Sequence, residues 1–259
     1  MRRQLVWMAA VSVLGILARG AAAQALLRVD VNDRTTTADV PDTAPGFSPY
    51  VISDLRNSTG MAGGYTININ IFDADGPDMA GNLGTFDDRD RAAPTTAPTL
   101  NQLYDDFIFG TNGLANTGGL DLSILSGGAL AANTPYRFSV YAFDALSNGQ
   151  TQPRTAAWLD GNNADAPVLV TSFGVTTGTT VIPPPLTDDQ YKFTGVARTD
   201  GSGNLLLRAR NTTPNDAQGG ITPGVFLNGF EINVIPEPAS LTMAGLGGLA
   251  ALALRRRRS

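Results

Sequence analysis

The chain has 259 residues, 18 basic and 23 acidic, with no cysteine and no histidine. Disulfide scaffolds, Ser-His-Asp and Cys-His nucleophiles and zinc sites built from His and Cys are thereby excluded. Segments 1–23 and 236–259 take seven of the basic residues and one acid, which leaves residues 24–235 with 11 basic against 22 acidic and a net charge of −11; such a surface repels nucleic-acid phosphate and anionic lipid and suits a solvated surface or matrix protein.

The chain opens with Arg2 and Arg3, an apolar run from Leu5 to Leu17, and Ala21-Ala22-Ala23 before Gln24. A positive start, a short apolar core and a small-residue site define an export signal. Signal peptidase is expected to remove residues 1–23, with Ala21 and Ala23 at the recognition positions.

Residues 24–235 read as one domain. No helical period survives there, and alternation is clear instead. In "YTININIF", Tyr65, Ile67, Ile69 and Ile71 point one way while Thr66, Asn68 and Asn70 point the other. "PYRFSVYAFDA" carries apolar groups on both faces, which places it inside a sheet. "YKFTGVARTDGSGNLLLRARN" reads as two strands joined as a hairpin at Asp200-Gly201-Ser202-Gly203. "GVFLNGFEINVI" reads as one last strand. Further strands are expected near Leu26–Val31, Leu103–Phe109, Leu120–Leu125, Thr155–Leu159 and Val168–Phe173. About ten short antiparallel strands predict an all-β sandwich. Asp73–Thr99 and Val175–Asp189 read as long polar loops.

Asp73, Asp75 and Asp78 in "DADGPD", and Asp160, Asn162, Asn163 and Asp165 in "DGNNADA", offer the closely spaced oxygens that a hard cation such as Ca2+ takes. The competing reading is a turn whose side chains bond the local backbone. No other cofactor is implied. Asp87, Asp88 and Asp90 alternate with Arg89 and Arg91, as a solvated or internally paired loop would; the competing reading is an acid-arginine cluster beside a sugar site. Paired aspartates could act as glycosidase acid and nucleophile, although a chain this rich in aspartate makes close pairs by chance. Trp158 and the tyrosines could stack on sugar rings, or fill the core. Lys192, the single lysine, lies in an alternating pattern and reads as a solvated strand residue.

The tail has three parts. Pro236-Glu237-Pro238 form an extended joint. Leu241–Leu254 is uncharged; as a helix it would be about 21 Å long, short for a hydrocarbon core of about 30 Å. Arg255, Arg256, Arg257 and Arg258 would remain cytoplasmic and stop transfer. This order resembles the PEP-CTERM sorting signal of Gram-negative bacteria that make exopolysaccharide, a tail also labelled after the C-terminus of an ice-binding protein. The resemblance implies processing by exosortase after transient insertion in the inner membrane, and a destination at the cell surface or in the extracellular matrix.

The order of "DDRDR", "LYDDFIF", "GLDLSI", "NTPYRFSVYAFDA", "YKFTGVARTDGSGNLLL" and "FLNGFEI" is similar to that of galactose-binding-like and malectin-like jelly rolls. That implies a carbohydrate-binding body. Three functions compete: a non-catalytic module that binds extracellular polysaccharide, a passive structural or surface-layer protein that binds other proteins, and an Asp-based hydrolase.

Overall fold

The computed structural model describes residues 25–33, 43–73, 86–90, 99–110, 118–144, 153–174, 185–212 and 224–235. The chain divides into two units, Ala25–Asn233 and a second made of Met1–Gln24 with Val234–Ser259. Of the second unit only Val234 and Ile235 are described. The expected signal segment, the Pro-Glu-Pro joint, the apolar span 241–254 and the arginine cluster therefore lie outside the described residues. Among the described residues no helix is long and apolar enough to cross a membrane.

The first unit is all-β, as its alternation requires. Its strands are β1 (Ala25–Asn32), β2 (Ser48–Val51), β3 (Asn57–Ala62), β4 (Tyr65–Asp73), β5 (Phe86–Asp90), β6 (Asp106–Gly110), β7 (Gly118–Leu125), β8 (Pro135–Tyr141), β9 (Arg154–Asp160), β10 (Ala166–Phe173), β11 (Lys192–Arg198), β12 (Leu205–Asn211), β13 (Phe226–Leu227) and β14 (Gly229–Val234). A short 3-10 turn, Gln102–Tyr104, precedes β6. The sheets run β11-β8-β14-β1-β2, β10-β9-β12-β7-β4-β3 and β13-β6-β5. β1 pairs parallel with β2 and antiparallel with β14, and the pairs of the six- and three-stranded sheets are antiparallel.

The five- and six-stranded sheets pack face to face as a jelly-roll-like sandwich, the chain passing between them at β2–β3, β7–β8, β8–β9, β10–β11 and β11–β12. Ile67 and Ile69 of β4, Leu120, Leu122 and Ile124 of β7, and Leu205, Leu207 and Ala209 of β12 line one wall. Phe138, Val140, Phe230 and Ile232 line the other. Phe138 bridges the walls, its ring centroid 6.1 Å from Trp158 and 6.0 Å from Phe230. Each such aliphatic or aromatic side chain withdrawn from water stabilises the fold by about 1.5–3 kcal/mol.

Three expectations are corrected. The Asp200–Gly203 turn forms, with Asp200 accepting the Ser202 and Asn204 N–H groups on its carboxylate at 2.8 Å, yet it is not a hairpin. β11 pairs with β8, and β12 pairs with β7 and β9, so the turn is a corner between the two sheets. Gly203 (φ +80°) passes so near Leu130 that a Cβ there would lie 2.3 Å from its carbonyl oxygen. "GVFLNGFEINVI" is two strands in two sheets. At the break Asn228 accepts the Phe143 N–H at 2.7 Å and donates to the Asp106 carbonyl at 2.9 Å. Among the described residues the strands number fourteen rather than about ten, because the short or polar β2, β3, β5 and β13 carry no clear period of their own.

Candidate functional site

The outer face of the six-stranded sheet is built from the polar half of each alternating strand. Register aligns Asn70 of β4, Asp121 of β7 and Arg208 of β12 in one row, and Asn68 with Ser123 in the next. In a third row Gly119 lies between Phe72 and Arg210. A Cβ at Gly119 would lie 1.9 Å from the Ala209 carbonyl oxygen, so glycine is required for this close pairing. With no side chain between them, Arg210 crosses β7 and its guanidinium stacks 3.5 Å from the Phe72 ring centroid. Its Nη1 donates to Asp121 Oδ1 at 2.8 Å and to the Leu120 carbonyl at 3.2 Å.

Arg208 bonds both carboxylate oxygens of Asp165, at 2.7 and 2.9 Å. The row is thus polar, nearly charge-balanced and rigid. The Oδ1 atoms of Asn68 and Asn70, adjacent on one face of β4, have no hydrogen-bond partner. Neither the face nor its rows were read from the sequence; the alternation in "YTININIF" was the only signal that could have found them.

Of the candidate cation ligands, Asp160 and Asp165 diverge. Asp160 is buried; its Oδ1 accepts the Asn162 N–H at 3.0 Å and its Oδ2 the Arg198 N–H at 2.7 Å. Asn162 donates to the Arg198 and Asn204 carbonyls at 3.1 and 2.9 Å, tying the β9–β10 turn to the corner between sheets. Asp165, at φ +56°, reaches out to Arg208 instead. Asp73 closes β4, while Asp75 and Asp78 lie outside the described residues. Among the described residues no three acidic side chains come close enough to share a metal ion.

All six tyrosines and Trp158 are buried, and none of the exposed large hydrophobic side chains among the described residues is aromatic. "FDDRD" is a strand rather than a loop; in it Arg89 pairs with Asp87 and stacks 5.0 Å from the Phe109 ring.

Lys192 is a strand residue, but a half-buried and ion-paired one rather than a freely solvated one. It joins a cluster around the buried Glu231 on the outer face of the five-stranded sheet, which is covered there by Phe47 and Tyr104 packed edge-on against Tyr141. Lys192 Nζ lies 2.8 Å from Glu231 Oε2, Arg28 Nε lies 3.1 Å from Oε1, and the Tyr141 hydroxyl donates to Oε1 at 3.0 Å. Burial first, then the Glu231 charge and hydrogen bond, hold the Tyr141 hydroxyl far above the ordinary tyrosine range. On the same face Asp30 is fully buried; Oδ2 accepts the Ala44 N–H at 2.7 Å and Oδ1 has no partner. Burial raises its carboxyl to about 7, partly offset by the Ala44 N–H and reinforced by Asp106.

These features define an all-β sandwich with a half-buried polar row on one sheet and a charged cluster around the buried Glu231 on the other. The chain carries the PEP-CTERM protein-sorting motif, whose family model matches residues 234–258, and it is thereby a protein exported and sorted toward the cell surface. No curated protein matches the chain. Among solved structures it is similar to the CBM22-1 xylan-binding domain of Xyn10C from Paenibacillus barcinonensis, at 11% identity over 84% of this chain and 99% of that one, with a TM-score of 0.32; a likeness of that degree carries no argument about function.

Proposed function

We propose that this is an exosortase-processed surface or matrix protein whose sandwich is a non-catalytic module associated with extracellular polysaccharide. The observation that carries the reading is the sorting motif at 234–258. The carbohydrate half rests on the polar face. Asn68, Asn70, Ser123 and the Asp121–Arg210 pair form a neutral, half-buried hydrogen-bonding surface; the two orphaned amide oxygens there are buried, so a ligand hydroxyl reaches them only where a side chain moves aside. The acids of that face are held by Arg208 and Arg210, which argues against acid-base work by them.

The burial of every tyrosine and of Trp158 favours a second reading, a structural component that binds other proteins, because none of these rings is offered for sugar stacking.

Pull-down with exopolysaccharide from the producing cells separates the two. The first reading expects binding that Asn68→Ala with Asn70→Ala weakens; the second expects self-association without glycan retention. No retention on any polysaccharide defeats the first. Replacing Pro236-Glu237-Pro238 with three alanines should leave a full-length inner-membrane precursor; maturation like the parent would defeat the sorting half.

A further inference from the structure

Almost no chain separates the folded body from its processing joint. Strand β14 ends at Val234, the matched motif begins at that same residue, and Ile235 alone precedes Pro236. One extended residue reaches about 3.3–3.6 Å. An enzyme that takes its substrate as an extended strand engages the main chain of several consecutive residues, more than Ile235 offers on the upstream side.

Strand β14 is poorly placed to supply the rest. It lies inside the sheet between β8 and β1, with Asn233 paired to Ala25 and Ile232 to Leu27. Phe230 and Ile232 are fully buried. Glu231 is fixed from three strands at once, by Arg28, Tyr141 and Lys192. Val234 lies beyond the register with β1 and is 43% exposed. Peeling past it would pull a core isoleucine and then an ion-paired glutamate from their partners.

We propose that the folded body sets the upstream limit of processing: nothing before Val234 is available to the enzyme, and conversion waits on fraying at the end of β14. Glu231 is the positioning residue that holds the strand in place. This rests on the exosortase-sorted reading above. It implies that every mature chain ends downstream of Asn233.

The test uses the full-length chain in cells that process it, followed by pulse-chase and by mass spectrometry of the released protein. A Gly-Ser insert of about eight residues between Ile235 and Pro236 supplies flexible chain and should speed conversion several-fold. Glu231→Gln should speed conversion of the parent and leave that of the insert form unchanged, which a merely destabilising change would not do. An insert that converts at the parental rate, or a mature C-terminus within Gly229–Asn233, overturns the proposal. The triple-alanine variant keeps the two readings apart. If it accumulates while the insert gives no acceleration, only this proposal fails; if it matures normally, the sorting reading fails.

Discussion

Replacing Asp30 with asparagine should stabilise the protein at neutral pH and remove a pH dependence that the parent shows. Asp30 is wholly buried with one carboxylate oxygen unpartnered, and its pKa rises from 3.8 to about 7, chiefly through burial. A raised folded-state value means that the native state holds the proton more tightly. The corresponding stability is complete below the unfolded value and is lost as pH rises through about 7. At about 1.36 kcal/mol per unit, a rise of about three units withdraws on the order of 4 kcal/mol by neutrality. Roughly half of that, about 2 kcal/mol, returns between about pH 7 and about pH 5, equivalent to about 4–8 °C in Tm for a body of this size. The amide of Asp30→Asn keeps an oxygen for the Ala44 N–H and carries no charge. Asp188 and Asp200 do not blur the window. Burial acts to raise Asp188, but hydrogen bonds from Thr99 and Leu100 outweigh it; Asp200 is lowered by the Asn204 N–H first. Their contributions are present above the ordinary carboxylate value and fade only as pH falls below it. Urea denaturation of the processed protein across this range reads the effect. A parent whose midpoint does not rise on acidification from about pH 7 to about pH 5, or a variant that keeps the parental slope, refutes the reasoning.

Glu231→Ala should destabilise by about 2–4 kcal/mol, less than the full loss of a buried pair because Arg28 and Lys192 retain contact with water; a double-mutant cycle with Lys192→Met isolates the pair, and a total loss below about 1 kcal/mol would contradict the cluster. Gly119→Val should cost at least about 3 kcal/mol or prevent accumulation of folded protein, since its Cβ meets a backbone oxygen. Gly201→Ala, with nothing within 4 Å of the added carbon, serves as the tolerated control in the same thermal melts.

The sequence was most legible where one strand held its whole period. Tyr65 to Asn70 alternate in burial as the side-chain types demand, and β8, apolar on both faces, does lie inside a sheet. It was least legible where a local signal has two global uses. Asp-Gly-Ser-Gly specifies a tight turn, but a turn does not say whether the flanking strands meet edge to edge or face to face. That depends on partners such as Ser139 for Thr194 and Ser123 for Leu206, far away in the chain. The same holds for Asn228, whose two side-chain hydrogen bonds split what reads as one strand between two sheets. The polar face required the register of β4, β7 and β12, and the Lys192–Glu231 pair joins residues whose spacing carries no pattern. Asp160 and Asn162 looked like ion ligands because oxygens that suit a cation also suit backbone N–H groups and the turns they close.

The engagement of Lys192 has a practical corollary in amine chemistry. It is the single lysine of the chain, and its nitrogen is already held at 2.8 Å by Glu231 and at 3.4 Å by Asp189. Acylating reagents and aldehyde fixatives that act through lysine therefore find one side-chain target, and that target is ion-paired. Where signal peptidase removes residues 1–23 as the sequence leads one to expect, the new α-amine becomes the principal reactive nitrogen of the protein. Dyes, biotin or activated surfaces should attach there and display every molecule in the same orientation, while proteomic and crosslinking surveys that rely on lysine will under-count this protein in whatever layer it occupies.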